Sequence, residues 1–591
     1  MSLRDQYCGQ VTKENLNQTL KLSGWVAKSR DHGGVIFIDL FDHTGVVQLV
    51  FNPDIAAFPI AEKLTTHSVV CVEGRVTPRP EGTVNPNLST GEVEVVVSQV
   101  VWHNVASPLG FDVNDSKVSE EVRAAHRVLD IRSDRMQKNL RFRGKMIRSL
   151  RNHLEEKGFL EVETPILTRS TPEGARDYLV PSRQNPGHAF ALPQSPQQFK
   201  QMLMMGGVDR YYQFARCFRD EDLRADRQPE FTQLDIEMSF MSADEICELM
   251  ESMVKAMLQD CLDMNDIQPF PVMSYQDAML YHGTDAPDLR NPLKFIPMDD
   301  VFRQCHFEVF KKPAESEEGR VVAIRLPGGC EQLSRKDLDQ YTHFVSKLGA
   351  KGLAYIKVND LAQDDFAGLS SPILKFLSAD DIQKVLDTCD AQTGDIIFFG
   401  AGSHYLVNLT MSALAKQLAV DLQLLSDKMA FVWVKDFPMF EKIEGGYTAI
   451  HHPFTAPLAS DEGDLIHARA QAYDLVLNGS ELGGGSIRIA DPKLQQAVFD
   501  VLGIDQEKAQ EEFGHLLSAL SQGCPVHGGL AFGIDRMAMV LLGTNSIRDV
   551  IAFPKTQTAT CALTKAPGDV SKAQWRELGL TIKNGDKHGG A

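Results

Sequence analysis

Hydrophobic and polar residues alternate through most of the first hundred positions, with the period of half-buried β-strands. The pattern predicts five strands, at 20–28, 35–42, 46–51, 68–76 and 92–101, and a short helix at 55–64 between the third and fourth. Five strands with a helix in that gap are typical of an OB-fold, which binds single-stranded nucleic acid. Other small β-barrels share the pattern, so the alternation alone leaves that choice open.

Beyond the predicted barrel (1–106), a segment at 107–122 that contains Pro, Gly, Asn and Asp predicts a hinge. The region 286–420 has its own strand patterns and a helix pattern, and it separates two stretches that carry the candidate chemistry, 123–285 and 421–558. We therefore expect an α+β multidomain protein in which an α/β domain is inserted into a second, larger domain. A C-terminal extension is expected at 559–591.

The net charge of −19 argues against a protein that coats nucleic acid indiscriminately. Between positions 123 and 151, however, ten Lys and Arg residues accompany only two acids. This run fits a nucleic-acid contact and fits a solvated helix face equally well.

Ten cysteines are scattered along the chain without a C-x-x-C pair, which favours single buried thiols over a zinc site. Such usage is typical of a reducing compartment, and a cytoplasmic location is expected. A charged N-terminus and the absence of a long apolar run predict neither a signal peptide nor a membrane span.

The segment 211–240 predicts a strand, a charged loop and a returning strand. On the returning strand the odd positions are polar or aromatic and the even positions mostly apolar; the odd ones are Phe231, Gln233, Asp235 and Glu237. Arg219 has the parity to share their side. Such a polar surface suits an anionic nucleotide together with a zwitterion, whereas a surface hairpin with paired charges is the plainer alternative.

Two further segments carry candidate chemistry. In 472–489, a turn at Asn478 brings Asp474 and Glu481 together as a hairpin, and paired carboxylates suit Mg²⁺ that keeps part of its water shell. In 528–542, a glycine-rich strand leads into an apolar helix with Arg536 in its first turn, a suitable place for phosphate. The sequence has no P-loop motif.

With the segment ending at Pro165, these regions resemble motifs 1, 2 and 3 of the class II aminoacyl-tRNA synthetases. Motif 2 is FRDEDLRADRQPEFTQLD at 218–235. The segments TPEGARDYLVPS at 171–182 and LPQSPQQFK at 192–200 are similar to those of the bacterial aspartyl-tRNA synthetases. The resemblance covers nearly the whole chain. It implies an OB-fold anticodon domain, an antiparallel catalytic sheet and a homodimer formed through 158–165.

The resemblance also implies a role for each site residue. Arg219 would bind the ATP α-phosphate and the amino-acid carboxylate, and Arg536 the γ-phosphate, as the two catalytic residues. Asp474 and Glu481 would hold Mg²⁺. Further nucleotide-binding residues would be Asp220, Glu221, Gln228, Phe231, Glu481, Gly533, Ile534 and Asp535. Aspartate would be bound by Glu173, Ser195, Gln197, Gln198, Phe199, Lys200, Arg219, Asp235, His451 and Arg488. The neighbouring His452 is expected to be structural.

On the barrel, the resemblance implies anticodon contacts by Arg30, Phe37, Gln48 and Glu94. Phe37 alternates with Ile36 and Ile38, so an outward ring that stacks on a base is favoured over a core position.

Two loop residues, His32 and Gly82, resemble the relaxed type of enzyme, which charges both tRNA-Asp and tRNA-Asn and depends on a tRNA-dependent amidotransferase. The alternatives are a strict tRNA-Asp enzyme, an asparaginyl or lysyl relative, and a non-catalytic tRNA-binding paralogue.

Overall fold

A closed five-stranded barrel forms the N-terminal part of the protein in the computed structural model, which describes residues 2–107, 110–170 and 174–581. The strands are β1 Thr19–Asp31, β2 Ile36–Asp42, β3 Gly45–Phe51, β4 Val69–Pro78 and β5 Val93–Asn104, with helix α1, Phe58–Ala61, between β3 and β4. The barrel order is β1-β2-β3-β5-β4, and alternate residues such as Val26, Ile38 and Val72 are fully buried inside it. This confirms the OB-fold.

The barrel belongs to the first of two units, Met1–Gln137, which also contains α2 Glu120–Ala125 and α3 Arg127–Asp130. The basic run beginning at 123 enters a long helix, α4, Asp134–Glu156.

In the second unit, Lys138–Ala591, the described strands form an eight-stranded sheet, a five-stranded sheet and two two-stranded sheets. Its strands are β6 Leu160–Glu161, β7 Leu179–Pro181, β8 Ala189–Ala191, β9 Arg210–Phe218, β10 Glu230–Ser239, β11 Val272–Ser274, β12 Ile296–Pro297, β13 Gly319–Leu326, β14 Ala354–Val358, β15 Leu369–Ser370, β16 Ile396–Ser403, β17 Phe431–Lys435, β18 Phe440–Ile443, β19 Gly446–Ala449, β20 Ala472–Leu477, β21 Ser480–Ile487 and β22 His527–Gly533.

The α-helices of this unit pack against the sheets or connect their strands. After α4 they are α5 Gln197–Met205, α6 Ala243–Leu262, α7 Tyr275–His282, α8 Asp299–Phe302, α9 Glu308–Glu315, α10 Gly329–Gln332, α11 Arg335–Lys347, α12 Ala379–Thr388, α13 His404–Asp421, α14 Pro492–Val501, α15 Gln506–Leu520, α16 Ile534–Leu541 and α17 Lys572–Glu577.

The largest sheet has eight strands in the order β11-β17-β20-β21-β22-β10-β9-β6. Its central pairs are antiparallel, and parallel pairs occur only at the two edges, β11 with β17 and β6 with β9. A separate five-stranded sheet, β12-β13-β16-β14-β15, lies wholly within the expected insertion. The antiparallel sheet confirms the fold class, whereas the boundaries proposed for each domain stay predictions.

One face of the eight-stranded sheet is covered by helices. Helix α6 begins with a capping box formed by Ser242 and Glu245 and buries Ile246, Met250 and Met253 at helical spacing in the main core. Since this face is filled by apolar side chains, the polar side chains of the same strands point to the opposite face.

Among the residues that the structure describes, no helix combines the length and the apolar character that a membrane span requires.

Candidate active site on the antiparallel sheet

Strict alternation along β10 separates the core from the candidate site. Leu234 and Ile236 belong to the main core, whereas Asp235 lines a cavity of about 460 Å³ on the other face. Asp235 and Glu237 are fully buried although both are acids. A charged group loses its hydration on burial and needs a partner, so these two carboxylates require nearby cations.

Lys200 and Arg488 supply those cations. Lys200 Nζ lies 3.1 Å from Asp235 Oδ1 and 3.4 Å from Glu237 Oε2. Arg488 donates through Nε and Nη2 to the two oxygens of Glu237, at 2.9 and 3.2 Å. The four buried side chains carry two positive and two negative charges, and Glu237 is the member that contacts both cations.

The two carboxylates differ in their protonation energetics. Burial raises the pKa of Glu237, but Arg488 and Lys200 outweigh burial and hold it at about 2. Burial also raises the pKa of Asp235, and there Lys200 compensates only in part. Oδ2 of Asp235 has no hydrogen-bond partner within the described residues. This oxygen is therefore an acceptor available to a cationic ligand group.

Each buried cation also keeps one donor. The guanidinium of Arg488 has five N–H groups; Glu237 takes two, Gly529 O one and Ser486 Oγ one, leaving one on Nη1. Lys200 donates one of its three N–H groups to Asp235 and has Glu237 at ion-pair distance, so at least one donor remains. Since Lys200 and Arg488 both line the cavity, two cationic donors remain for one anionic ligand group.

No binding role was assigned to Glu237 from the sequence. The alternation of β10 placed it on the polar face, but only the structure shows that it links Lys200 to Arg488. Its position also depends on β22, because a Cβ added to Gly529 would lie 2.2 Å from Glu237 Oε2. Only glycine leaves room for the carboxylate there.

Asp474 and Glu481 lie together across the predicted hairpin, whose turn has positive φ at Asn478 and Gly479. A Cβ added to Gly484 would lie 2.1 Å from Asp474 Oδ1 and 3.5 Å from Glu481 Oε1, so both carboxylates point to the same place. Burial raises the pKa of both acids. Their mutual repulsion and Asp285, which also lines the cavity, add to this for Asp474.

This acidic pair fits a hard divalent cation. Oδ1 of Asp474 has no hydrogen-bond partner among the described residues, and carboxylate oxygens are the donors that Mg²⁺ prefers. Within the described ranges, no group of three or more His, Cys, Asp or Glu side chains is arranged to hold a metal. The fit is therefore to a cation held by two carboxylates that keeps several waters.

A second cavity, of about 260 Å³, adjoins the first. Its lining includes the predicted nucleotide residues Glu221, Gln228, Phe231, Glu481, Gly533, Asp535 and Arg536. Arg219 lines both cavities, and its guanidinium carbon lies 5.2 Å from the centre of the Phe231 ring. Arg219 therefore lies where a ligand in one cavity would meet a ligand in the other.

Two predicted nucleotide residues already use their side chains elsewhere. The Asp535 carboxylate accepts from Arg143 and from the Thr232 N–H, at 2.8 Å each, and so attaches α16 to β10. The Gln228 amide forms two hydrogen bonds with the main chain of Lys555. Their side chains position main chain around the cavity rather than point at a nucleotide.

Four predicted contacts lie outside both cavities. On α5, Gln197 and Lys200 line the larger cavity, whereas Gln198 and Phe199 do not, because each residue of a helix is rotated by about 100° from the last. Ile534 is fully buried in the core, and exposed Asp220 pairs through its main chain with Arg176. The structure places these four residues outside the two cavities, and their roles stay predictions. Glu173 lies outside the described residues.

Both histidines line the larger cavity, although His452 was expected to be structural. Burial, with Arg488 nearby, lowers the pKa of His451 to about 4 and that of His452 to about 3. Both are thus neutral at pH 7. His451 Nδ1 lies 3.8 Å from Asp474 Oδ1, and the other predicted residue, Ser195, lines the same wall.

On the barrel, the four predicted anticodon residues form one outer patch. Arg30 pairs with Phe37 across β1 and β2, and Gln48 donates to Glu94 at 2.9 Å. Phe37 is half-buried between the core residues Ile36 and Ile38, so its ring lies outside the barrel core. The ring of exposed His32 makes an edge contact with Phe37, with centroids 5.7 Å apart.

Comparison with known families agrees with this arrangement. Residues 119–557 match the family described as tRNA synthetases class II (D, K and N), and residues 20–101 match the OB-fold nucleic acid binding domain. The chain belongs to the class II tRNA synthetases. It is thus a member of a family of ligases that use ATP and Mg²⁺ to attach an amino acid to tRNA.

Solved structures of similar fold include enzymes for two amino acids. The asparaginyl-tRNA synthetase of Pyrococcus horikoshii, complexed with asparaginyl-adenylate, is 19% identical over 93% of this chain and 98% of that one, with a TM-score of 0.58. The aspartyl-tRNA synthetase of Entamoeba histolytica is 17% identical over 92% and 89%, with a TM-score of 0.55. The asparaginyl enzyme of the same organism is 15% identical over 91% and 95%, with a TM-score of 0.57. These likenesses concern the fold and leave the amino acid undecided.

The charge network predicts how Arg488 contributes to stability. Arg488→Met leaves Glu237 with Lys200 alone, and loss of one partner of a buried ion pair costs about 3–5 kcal/mol. The double change Glu237→Gln with Arg488→Met keeps the network neutral and should recover most of that loss. Urea denaturation of both variants measures this, and a double variant as unstable as the single one would contradict it.

Proposed function

We propose that the protein attaches L-aspartate to tRNA through an aspartyl-adenylate. The observation that supports aspartate is the pair of unused donors on Lys200 and Arg488 at one end of the larger cavity. Two cationic donors suit the two oxygens of a side-chain carboxylate, while the unpaired Oδ2 of Asp235 suits the α-ammonium group.

Asparagine fits the same wall poorly. Its side-chain amide would accept one hydrogen bond but would turn an NH₂ group toward the second cationic donor. Of the two acids near these donors, Glu237 is occupied by both cations, and Asp235 is bound to Lys200 through Oδ1 and leaves only Oδ2, which is assigned to the α-ammonium group. A polar group left facing a like donor in a buried site loses its hydration without compensation, and this disfavours the amide.

In the first step, an oxygen of the aspartate α-carboxylate attacks the α-phosphorus of ATP, and the bond to the pyrophosphate oxygen breaks. A carboxylate is already a nucleophile, so no side-chain base is required. Arg219, which lines both cavities, would neutralise charge on the α-phosphate and on the carboxylate. Arg536, in the first turn of α16, would bind the terminal phosphates.

Asp474 and Glu481 would hold Mg²⁺, which neutralises phosphate charge when bound. In the second step the 3′-hydroxyl of the terminal adenosine of tRNA attacks the aspartyl carbonyl. The ester bond forms, AMP leaves, and the hydroxyl proton is released.

The amino acid is tested by ATP–pyrophosphate exchange. We expect exchange with aspartate to exceed that with asparagine or lysine by on the order of 100-fold or more in kcat/KM. The Glu237→Gln/Arg488→Met variant should lose aspartate-dependent exchange. Lys255→Met, which breaks a helical ion pair with Glu251 on α6, should retain it. Exchange driven equally well by asparagine would overturn the proposal.

A homodimer is proposed on the edge of the eight-stranded sheet. Strand β6 is the last strand, and exposed Leu160, Ile166 and Leu167 lie on or just after it. A second copy of the same edge would cover these apolar side chains, as isologous interfaces do.

The outer patch of the barrel is proposed to bind the anticodon. A half-exposed ring beside Arg30, with the Gln48 amide and the Glu94 carboxylate nearby, provides stacking and hydrogen-bonding groups for unpaired bases. These groups are the kind that OB-folds use for single strands.

Phe37→Ala tests the patch. Loss of base stacking costs about 1–3 kcal/mol, so we expect kcat/KM for tRNA charging to fall by roughly 5- to 150-fold. Pyrophosphate exchange in the absence of tRNA should not change. Val101, exposed on the last barrel strand outside the patch, provides the control Val101→Ala. Equal losses in charging and exchange would count against an anticodon role.

We also propose that the enzyme charges both tRNA-Asp and tRNA-Asn, which differ at one anticodon base. His32 is exposed beside Phe37, where an imidazole can hydrogen-bond with either pyrimidine. Gly82 has φ +80°, so the turn by itself accounts for glycine there, and His32 carries the proposal. A tRNA-dependent amidotransferase would then convert Asp-tRNA-Asn.

Aspartylation of the two purified transcripts decides this point. The unaltered enzyme is expected to charge tRNA-Asn within about tenfold of tRNA-Asp, and His32→Leu to lower only tRNA-Asn charging. Charging of tRNA-Asn that is thousands of times slower would identify a strict tRNA-Asp enzyme.

A further inference from the structure

The chain that follows α16 is attached to the motif 2 loop, defined here as residues 220–229 between β9 and β10. Lys555 N–H donates to Gln228 Oε1 at 2.7 Å, and Gln228 Nε2 donates back to Lys555 O at 3.0 Å. Gln228 is 2% exposed, so this reciprocal pair is protected from water. The side-chain amide of Gln228 pairs with the main chain of Lys555 through two hydrogen bonds, as a neighbouring β-strand would. It thereby fixes the end of the loop to Lys555.

Two further contacts attach the same regions. Lys555 Nζ forms an ion pair with Glu230 Oε1 at the start of β10, while Arg216 Nη2 holds the other oxygen at 2.9 Å. Upstream, the Ile547 N–H donates to Ala225 O at 2.9 Å, and Ile547 itself lines the smaller cavity. The second half of the loop, at Ala225 and Gln228, and the first residue of β10, Glu230, are therefore held by residues outside the loop.

This attachment leaves the main chain of Gln228 available. Within the described residues, neither its N–H nor its carbonyl forms a hydrogen bond, although the residue is buried in the cavity wall with Phe231. The N–H and the carbonyl of Gln228 suit the hydrogen-bonding edge of a purine base, and the ring of Phe231 suits its face. Their position is fixed by the Gln228 amide, and hence by Lys555.

We propose that Lys555 is a positioning residue for the base end of the nucleotide. It contacts no substrate; it holds the main chain of Gln228 in register with the ring of Phe231 through its peptide group and through Glu230. The proposal rests on ATP-dependent activation by this site but not on which amino acid is activated. The region after α16 would thus contribute to the nucleotide site.

The test distinguishes binding of the adenosine end of the nucleotide from binding of its phosphate end. In the full-length protein carrying Lys555→Met, we expect adenosine to bind about fivefold more weakly, since the ion pair is partly exposed. The KM for pyrophosphate and for the amino acid in exchange should be unchanged. Lys555→Arg should restore adenosine binding, and Lys255→Met is the matched control.

Glu230→Gln breaks the same ion pair from the other side and provides a second variant if Lys555→Met does not fold. It should weaken adenosine binding by a similar factor, and combining the two changes should add little. Unchanged adenosine affinity in both variants, or equal losses for adenosine and pyrophosphate, would overturn the proposal. Adenosine binding is measured by calorimetry without an amino acid, so a failure of the aspartate assignment remains distinguishable.

Discussion

Two carboxylates and two cations buried on one face of the sheet set the arrangement of the larger cavity. Each of these four groups would be costly to bury alone, and together they are neutral. Glu237 decides the geometry because it binds Arg488 through both oxygens and also contacts Lys200. The chain thereby holds two buried cations, each with at least one donor unused. Such a fixed pair of cations suits the carboxylate ligand that we propose.

Glycines on the neighbouring strands leave room for the buried acidic side chains. Gly529 on β22 allows the Glu237 carboxylate to lie against the neighbouring strand, and Gly484 on β21 does the same for Asp474. A sheet with ordinary side chains at these positions would displace the acids. The glycines on this face therefore determine which carboxylates can be buried.

Several side chains around the nucleotide cavity act on the main chain. Asp535 attaches α16 to β10, and Gln228 attaches the motif 2 loop to Lys555. Motif sequences identify such residues as belonging to a site without saying what they touch. Their contacts come from parts of the chain more than 300 positions away, and the partners are main-chain groups that carry no sequence signal.

The sequence by itself determined the barrel, the polar face of β10, the Asp474–Glu481 hairpin and the family. These follow from alternation, turn residues and motifs, which are local and periodic. Only the tertiary structure decided that Glu237 joins Lys200 to Arg488, that His452 lines the cavity, and that Gln198 and Phe199 do not. Those facts depend on where α5, β10, β21 and β22 meet and on how each helix is rotated. Periodicity fixes the face of an element, but packing against the other elements fixes what that face touches.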